Sequence, residues 1–507
     1  MKLERGDTAL LVVRQVGVDV VVDVIAPSGN VVGSFDSPTG RNGDEIIEFE
    51  ASDSADYTIR VRPFDEKEPS GQYRLEFSSV RNAEQTAKVI EQAQEWLLEN
   101  SRSIPVSGII PESSSLPTLE GLLRETRVLG IGEATHGSRE FGDFRLSLTR
   151  RLIERNGYRI VAIEGSESRF RYLAPYVSGE VPKSDEITKR IEVGWIGRRS
   201  QADLVEWVRS WNIKHPMDQV QIVGIDAQDN EDSREILGRL IEKAYGENAV
   251  KRWKEVAAEL NAADEQTQVF GDSGVNSAAR QFLLEVKAML DVDGPLLRAR
   301  FGTEFEAAQQ ATETLVEFAD FNSSGDDGTI HHSRDWYMAN RILRALQEAG
   351  PESRAVYWAH NAHVVHPSGS TATAGGLLRD VLGCGYSAIA VTFGQGGFVA
   401  QIPNDAEDRL AVSTLPPAPK GAIEALFSRR PEAALAAWGC QPQQLPEWFA
   451  IPRRMHWVGG LFKPGTDAAE AFRPFMLASD FDGVAYLPTV TPDPIPGDRP
   501  LIPARKR

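Results

Sequence analysis

Residues Arg127–Phe141 read "RVLGIGEATHGSREF", and the architecture of the chain turns on them. Val128, Leu129 and Ile131 form a short apolar run without a polar break, the pattern of a strand buried on both faces of a sheet. The run stops at the glycine-bearing turn "GIGEATHG". An amphipathic segment follows, "FRLSLTRRLIERNG" (Phe144–Gly157), whose final glycine suits a left-handed helix cap. Strand, turn and helix make the first half of a βαβ unit. Glu133 and His136 stand in the turn.

Four more runs repeat the strand signal: "RIVAIE" (Arg159–Glu164), "VQIVGID" (Val220–Asp226), "RAVYWAH" (Arg354–His360) and "SAIAVTFG" (Ser387–Gly394). Together they predict an α/β domain with a mostly parallel sheet. Between Asp226 and Arg354 lie more than a hundred residues of largely helical pattern, including "DSREILGRLIEKAYG" and "SAARQFLLEVKAMLD". One crossover needs only a dozen or so residues, so an inserted helical subdomain is expected at about 227–353.

Residues 1–80 follow another period. "TALLVVRQVGVDVVVDVIAPSGNVVGSF", "EIIEFEASDSADYTIRVRPF" and "GQYRLEF" are short strand-like runs separated by Gly, Pro, Ser and Asp turns. They predict a small all-β sandwich. "AEQTAKVIEQAQEWLLENS" then has helical spacing at Val89, Ala93, Trp96 and Leu97, and "PESSSLP" reads as a connector, so 81–115 is expected to be a spacer. The main domain occupies 116–507 and ends in a proline-rich tail expected to be extended.

Composition narrows the function. The chain has 507 residues and a formal net charge of −18, with the acids spread along its length. Such a surface repels nucleic acid and anionic lipid. No run approaches the apolar length of a membrane span, and "MKLERGDTALLVVRQ" has no signal-peptide core. A cytoplasmic protein is expected, or a secreted one from which a signal peptide was removed. The two cysteines, Cys384 and Cys440, form no C-x-x-C pair and read as buried small apolar residues.

The strand ends carry the chemistry. The first run leads into Glu133 and His136, the second ends on Glu164, the third on Asp226, and the fourth on His360 with His363 three residues later. Loops at the carboxyl edge of a parallel sheet converge on ligand sites. Any one of these acids is read as readily as a helix cap or a solvated loop residue. Four strands delivering acid or imidazole to one edge point to an active site. "GIGEAT" lacks the third glycine of a dinucleotide fingerprint, and there is no G-x-S-x-G, H-E-x-x-H or Walker A motif. Two chemistries remain: water activated directly by a His–Glu pair, or a metal bound by the same groups.

The motifs "VLGIGEATHGSREF", "FRLSLTRRLIERNGYRIVAIEGS", "SRDWYMANRI" and "VYWAHNAHV" resemble the erythromycin esterase family from about residue 101 through the 390s. The resemblance implies a hydrolase of a macrolide lactone or related ester, in which a histidine activates water without a serine acyl-enzyme. It carries the catalytic histidine onto His136, its glutamate onto Glu133, and the arginine of the next helix onto Arg145. Glu164, Arg334, His360 and His363 complete the polar cleft it implies. The N-terminal run "GVDVVVDVIAPSGNVV" with "DYTIRVRP" and "GQYRLEF" resembles the bacterial pre-peptidase C-terminal domain, which implies attachment to a polymer, a surface or a protein partner.

Roles follow from the chemistry of ester cleavage. His136 is the base and Glu133 orients it; Arg145 and Arg334 either neutralise Glu164 or hold the oxyanion; His360 or His363 protonates the leaving alkoxide. The plainer reading makes Arg145 a buried salt bridge and Arg334 a surface residue at a helix start capped by Ser333. Asp226 and His332 are candidates for substrate binding, while His331 stands beside His332 in the same loop. His366 and His456 read as structural, and Trp195 as a core residue. No cofactor is expected. The alternatives are a divalent-metal hydrolase with Glu133, His136, Glu164, His360 and His363 as ligands, or a binding protein that retains the cleft.

Overall fold

The computed structural model describes residues 1–36, 41–66, 68–111, 114–192, 198–267, 274–322, 332–367, 372–403, 409–430, 432–441, 445–494 and 501–502. Trp195 and His331 lie outside them. The N-terminal strands are β1 (Lys2–Leu3), β2 (Thr8–Val16), β3 (Val20–Ile25), β4 (Val31–Phe35), β5 (Asn42–Glu50), β6 (Ala55–Asp56), β7 (Thr58–Pro63) and β8 (Gln72–Arg81). β1 pairs with β6, and the other six form two antiparallel sheets, β5-β2-β8 and β4-β3-β7. Alternation along β2 and β3 sends Leu11, Val13, Val22 and Val24 into one core with Ile47 and Phe49. Glu48 joins this module to the rest, because its carboxylate pairs with both Arg81 and Arg453.

Helix α1 (Ala83–Asn100) opens with a reciprocal cap between Asn82 and Gln85 and buries Ala93 and Leu97. It runs straight into β9 (Ser101–Ile104), which pairs antiparallel with Ala433–Ala437. The expected spacer therefore contributes a strand to the main sheet.

That sheet contains β10 (Val128–Ile131), β11 (Ile160–Ser166), β12 (Gln221–Asp226), β13 (Ala355–Trp358) and β14 (Tyr386–Gln401), followed by β15 (Leu410–Leu415) and β16 (Ala433–Ala437). β17 (Arg453–His456) and β18 (Phe472–Phe475) pair apart from it, and β19 (Gly483–Val490) and β20 (Leu501–Ile502) return to it. The order is β12-β11-β13-β10-β14-β19-β16-β9, with β15 on the far half of β14. The five runs read as parallel strands are parallel neighbours. Added to them are parallel β19 and antiparallel β16, β9 and β15, so the sheet is mixed.

Helices α2 (Pro117–Leu122), α3 (Arg139–Asn156), α4 (Glu167–Val177), α5 (Asp185–Glu192) and α6 (Arg198–Lys214) follow the early strands. Leu129 and Ile131 of β10 join Val356 and Trp358 of β13 in a core with Phe144, Leu148 and Leu152 of α3. Val128, Ala355 and Tyr357 face the other way, against Met338, Ile342 and Leu346. Those three lie on α11 (Arg334–Ala349), which covers the sheet. The four helices before it, α7 (Glu231–Ala244), α8 (Glu247–Thr267), α9 (Ser277–Phe301) and α10 (Thr303–Phe321), share a separate core that includes Leu240, Trp253, Leu283 and Phe318. Two short helices, α12 (Asn361–Val364) and α13 (Ala374–Leu382), complete the edge near the strand ends. No helix among the described residues is long and apolar enough to cross a membrane.

The reading of the cysteines is corrected. Cys384 and Cys440, 56 residues apart, form a disulfide with their Cα atoms 5.4 Å apart. β16 runs antiparallel to β19, so its carboxyl end falls at the edge where β14 begins. That proximity is created by strand order, and spacing along the chain does not reveal it.

Candidate active site

The turn after β10 is shaped by contacts that leave no room for side chains. A Cβ at Gly132 would strike the Asn361 amide, and one at Gly137 the Val399 carbonyl. Asn361 locks the turn to two strands: its backbone N–H donates to the Glu133 carbonyl at 2.9 Å, and its side chain bonds both N–H and C=O of Val391. Glu133 and His136 thereby face the open carboxyl edge. His136 Nδ1 lies 2.7 Å from Glu133 Oε1, and Arg145 Nη2 lies 2.7 Å from Glu133 Oε2. Arg145 comes from α3, and its guanidinium sits 5.0 Å from the centroid of the Trp358 ring.

A second network occupies the neighbouring strand ends. Arg334, at the start of α11 behind the Ser333 cap, bonds Asp226 and also Glu164, the latter at 3.0 Å. Glu164 Oε1 lies 3.3 Å from His363 Nε2, and His363 Nδ1 lies 2.9 Å from Asp335 Oδ1. Glu164 Oε2 accepts the backbone N–H of His360 at 2.8 Å. The cap expected from Ser333 is present, and the arginine after it reaches into the cleft.

His360 stands between the networks. Its Nδ1 accepts the Ala362 N–H at 3.1 Å, which places the ring proton on Nε2. Its Nε2 is buried, with the Ala134 backbone carbonyl as the group that favours its proton. Trp457 packs edge-on against the ring at 5.0 Å, and the His136 ring is 5.4 Å away.

Electrostatics separates the three imidazoles. Burial, reinforced by the neighbouring His136, pushes His360 down to about 3, so it is neutral at physiological pH. Burial opposes charge on His363 too, but Asp335 and Glu164 outweigh it and raise the group to about 10. For His136, burial is outweighed by Glu133, and the ring titrates above its ordinary value. Burial would raise Glu164, yet His363, His136 and Arg334 hold its carboxyl well below the usual range.

Glu133, His136, Arg145, Glu164, Asp226, Arg334, His360 and His363 all line one cavity of about 450 Å³. His332 does not; its ring stacks on Trp336 with centroids 3.8 Å apart. Arg145 meets Glu133 rather than Glu164. His366 is tied to Asp482, and His456 Nδ1 faces the Phe393 carbonyl at 2.9 Å. Among the described residues no three His, Cys, Asp or Glu side chains are placed to hold a metal ion.

Several cavity residues carry no motif. Trp457, Gly459, Gly460 and Leu461 come from a late loop, which hydrogen-bonds the turn after β10 through Val458 N–H and the Ala134 carbonyl at 2.7 Å. Arg169, Gln201, Gln228 and Asp229 form the opposite wall. Asp229 has φ 56°, alone among the described non-glycine residues, and Asp264 holds it by accepting the Asp229 and Asn230 N–H groups, each at 3.1 Å. A non-glycine residue at positive φ beside a cavity was a signal visible only in three dimensions.

Parallel strands that carry acids, imidazoles and arginines to one carboxyl edge define an α/β fold with a polar cleft where ligands bind. The family model for erythromycin esterase matches residues 153–490, well over half the chain. The chain belongs to the erythromycin esterase family. The matched span includes Glu164, Arg334, His360 and His363, while Glu133, His136 and Arg145 precede it. An erythromycin esterase type II of Escherichia coli is 23% identical over 346 residues, covering 61% of this chain and 79% of the relative. A Bacillus cereus protein of known structure shares the fold with a TM-score of 0.62 at 17% identity, over 80% of this chain and 99% of that one. The erythromycin esterase EreC, a mutant in its open conformation, aligns with a TM-score of 0.55 at 18% identity, over 78% and 100%.

Proposed function

We propose that this chain hydrolyses an ester or macrolactone bond with water activated by His136 and Glu133, without a serine acyl-enzyme. The observation that carries the reading is the pairing of one oriented base with a second, neutral imidazole: His136 Nδ1 on Glu133 at 2.7 Å, and His360, held neutral by burial, lining the same cavity. Macrolactone enters as the substrate class because the relatives are erythromycin esterases.

Glu133 engages Nδ1 of His136, so a water proton passes to Nε2 as the water oxygen attacks the ester carbonyl carbon. The resulting oxyanion takes its hydrogen bond from His360 Nε2–H, a neutral donor already in place. Collapse breaks the bond between the acyl carbon and the ester oxygen. The proton held by His136 then goes to the departing alkoxide, giving acid and alcohol. Arg145 neutralises Glu133, and Arg334 neutralises Asp226 and Glu164, so both arginines support the networks rather than the oxyanion.

The test is mass-spectrometric turnover of a macrolide and a panel of simple esters and lactones. Wild type is compared with His136→Asn, each with and without chelator. Water addition that is lost in the variant and indifferent to chelator supports direct activation. Loss on chelation with recovery on a divalent metal sinks it in favour of a metal hydrolase, and silence across the panel favours a binding role.

A further inference from the structure

Neither motif nor strand pattern singles out Asp335, yet it holds the most strongly charged histidine of the site. It follows Arg334 in the first turn of α11, where the helix dipole favours a carboxylate. The same turn sends opposite charges to two sides of one cluster: Arg334 toward Asp226 and Glu164, and Asp335 toward His363. Asp335 Oδ1 accepts two hydrogen bonds, from His363 Nδ1 at 2.9 Å and from the Ala374 N–H of α13 at 2.7 Å.

A carboxylate on one ring nitrogen fixes the rotation and tautomer of a histidine and so aims the other nitrogen. Here the other nitrogen, Nε2, faces Glu164 Oε1 at 3.3 Å. The second oxygen of Glu164 holds the His360 backbone N–H at 2.8 Å. A continuous path therefore runs from Asp335 through His363 and Glu164 to His360, which lines the cavity.

We propose that Asp335 is a positioning residue of the hydrolytic centre, orienting His363 against Glu164 and through them the His360 donor. This rests on the hydrolytic reading above. The charged and titratable groups around His363 are Asp335 and Arg334 from α11, Glu164 from β11, His360 at the start of α12, and Tyr357 of β13, whose buried hydroxyl feels the charge of Asp335. Of these, Asp335 and Glu164 are the two that favour the charged ring.

A purely structural Asp335 would tether α13 through Ala374 and nothing more. Asp335→Asn separates the two roles, since an amide oxygen still accepts the Ala374 N–H while the charge is gone. The experiment uses the full chain: NMR titration of the His363 ring, with kcat and KM across pH on the fastest ester found, for wild type, Asp335→Asn and Asp335→Glu. The expected result is a His363 titration lowered by about one to three pH units in Asp335→Asn. With it, kcat falls about ten- to a hundredfold at nearly constant KM, the size typical of a lost outer partner of a histidine. Asp335→Glu restores the titration and part of kcat. An unchanged His363 titration, or an unchanged kcat in Asp335→Asn, overturns the proposal. A wild-type chain without turnover on any ester sinks the hydrolytic reading instead, and the titration still decides whether Asp335 governs His363.

Discussion

His136 and His360 face each other with ring centroids 5.4 Å apart, and their surroundings drive them in opposite directions. Glu133 raises His136, whereas burial lowers His360 to about 3. Two imidazoles of one composition are thus driven toward opposite protonation states by environment alone.

Activity should follow the deprotonation of His136. We expect kcat/KM to rise along a single limb whose midpoint lies above the ordinary histidine value of 6.5, because the base must shed its proton before it can take one from water. His360 adds no limb near neutrality. His360→Gln, which keeps an N–H donor, should retain more activity than His360→Ala, with a gap on the order of 10²-fold for one oxyanion donor. Equal rates in the two variants would remove His360 from the oxyanion site.

Arg334→Ala strands Asp226 and Glu164 together without their shared cation. Removing one partner of a buried ion pair costs about 3–5 kcal/mol, which thermal unfolding would register as a large fall in Tm. Pairing the change with Asp226→Asn should recover part of it. An unaltered Tm in Arg334→Ala would mean that the two acids find another counter-charge.

Stability should fall on both sides of neutrality. His363 titrates at about 10 in the folded chain against 6.5 in the unfolded one, so its contribution is complete below pH 6.5 and is lost as pH climbs toward 10. His360 is lowered to about 3, so the folded state resists a proton that the unfolded state accepts, and stability drops as pH falls from 6.5 toward 3. Urea unfolding across this range checks both limbs. Asp335→Asn should flatten the alkaline limb and leave the acid limb in place.

The Cys384–Cys440 bond closes a span of 56 residues. Its removal by reductant or by Cys384→Ala should lower unfolding free energy by about 2–4 kcal/mol, measured by urea titration. Unreduced, denatured protein should resist alkylation at both positions; two free thiols there would refute the pairing.

Glu48 bridges the N-terminal module to the rest through Arg453, and Arg81 beside it reaches across to Glu447. Glu48→Ala should loosen that junction, seen as faster proteolysis near Arg81–Asn82, while turnover by the main domain stays unchanged. A proteolysis rate equal to wild type would assign the junction to other contacts.

The parallel strands were legible because each is an uninterrupted apolar run, and the site because their ends carry acids and imidazoles. β16, "AALAA", was not, since alanine has little strand preference and only pairing with β19 makes it one. β9, "SRSI", was hidden because it is short and half polar, and only its pairing with β16 makes it a strand. Arg145 and Arg334 were legible as residues but not as partners: which acid each meets depends on the lateral order β12-β11-β13-β10, and no local pattern encodes that order. Asp335 and Trp457 escaped because the histidine each one meets is brought close only by folding.

The packed glycines at the ends of the turn after β10 limit how this chain can change. A side chain at Gly132 or Gly137 collides with Asn361 or Val399, so substitution at either position forces the turn to shift. Novelty in substrate choice must come from the walls, where Gln201, Gln228 and the loop carrying Trp457 and Leu461 face the cavity from three segments. A selection for new esters that randomises those four positions and leaves residues 130–137 untouched should return more active clones than one that does the reverse.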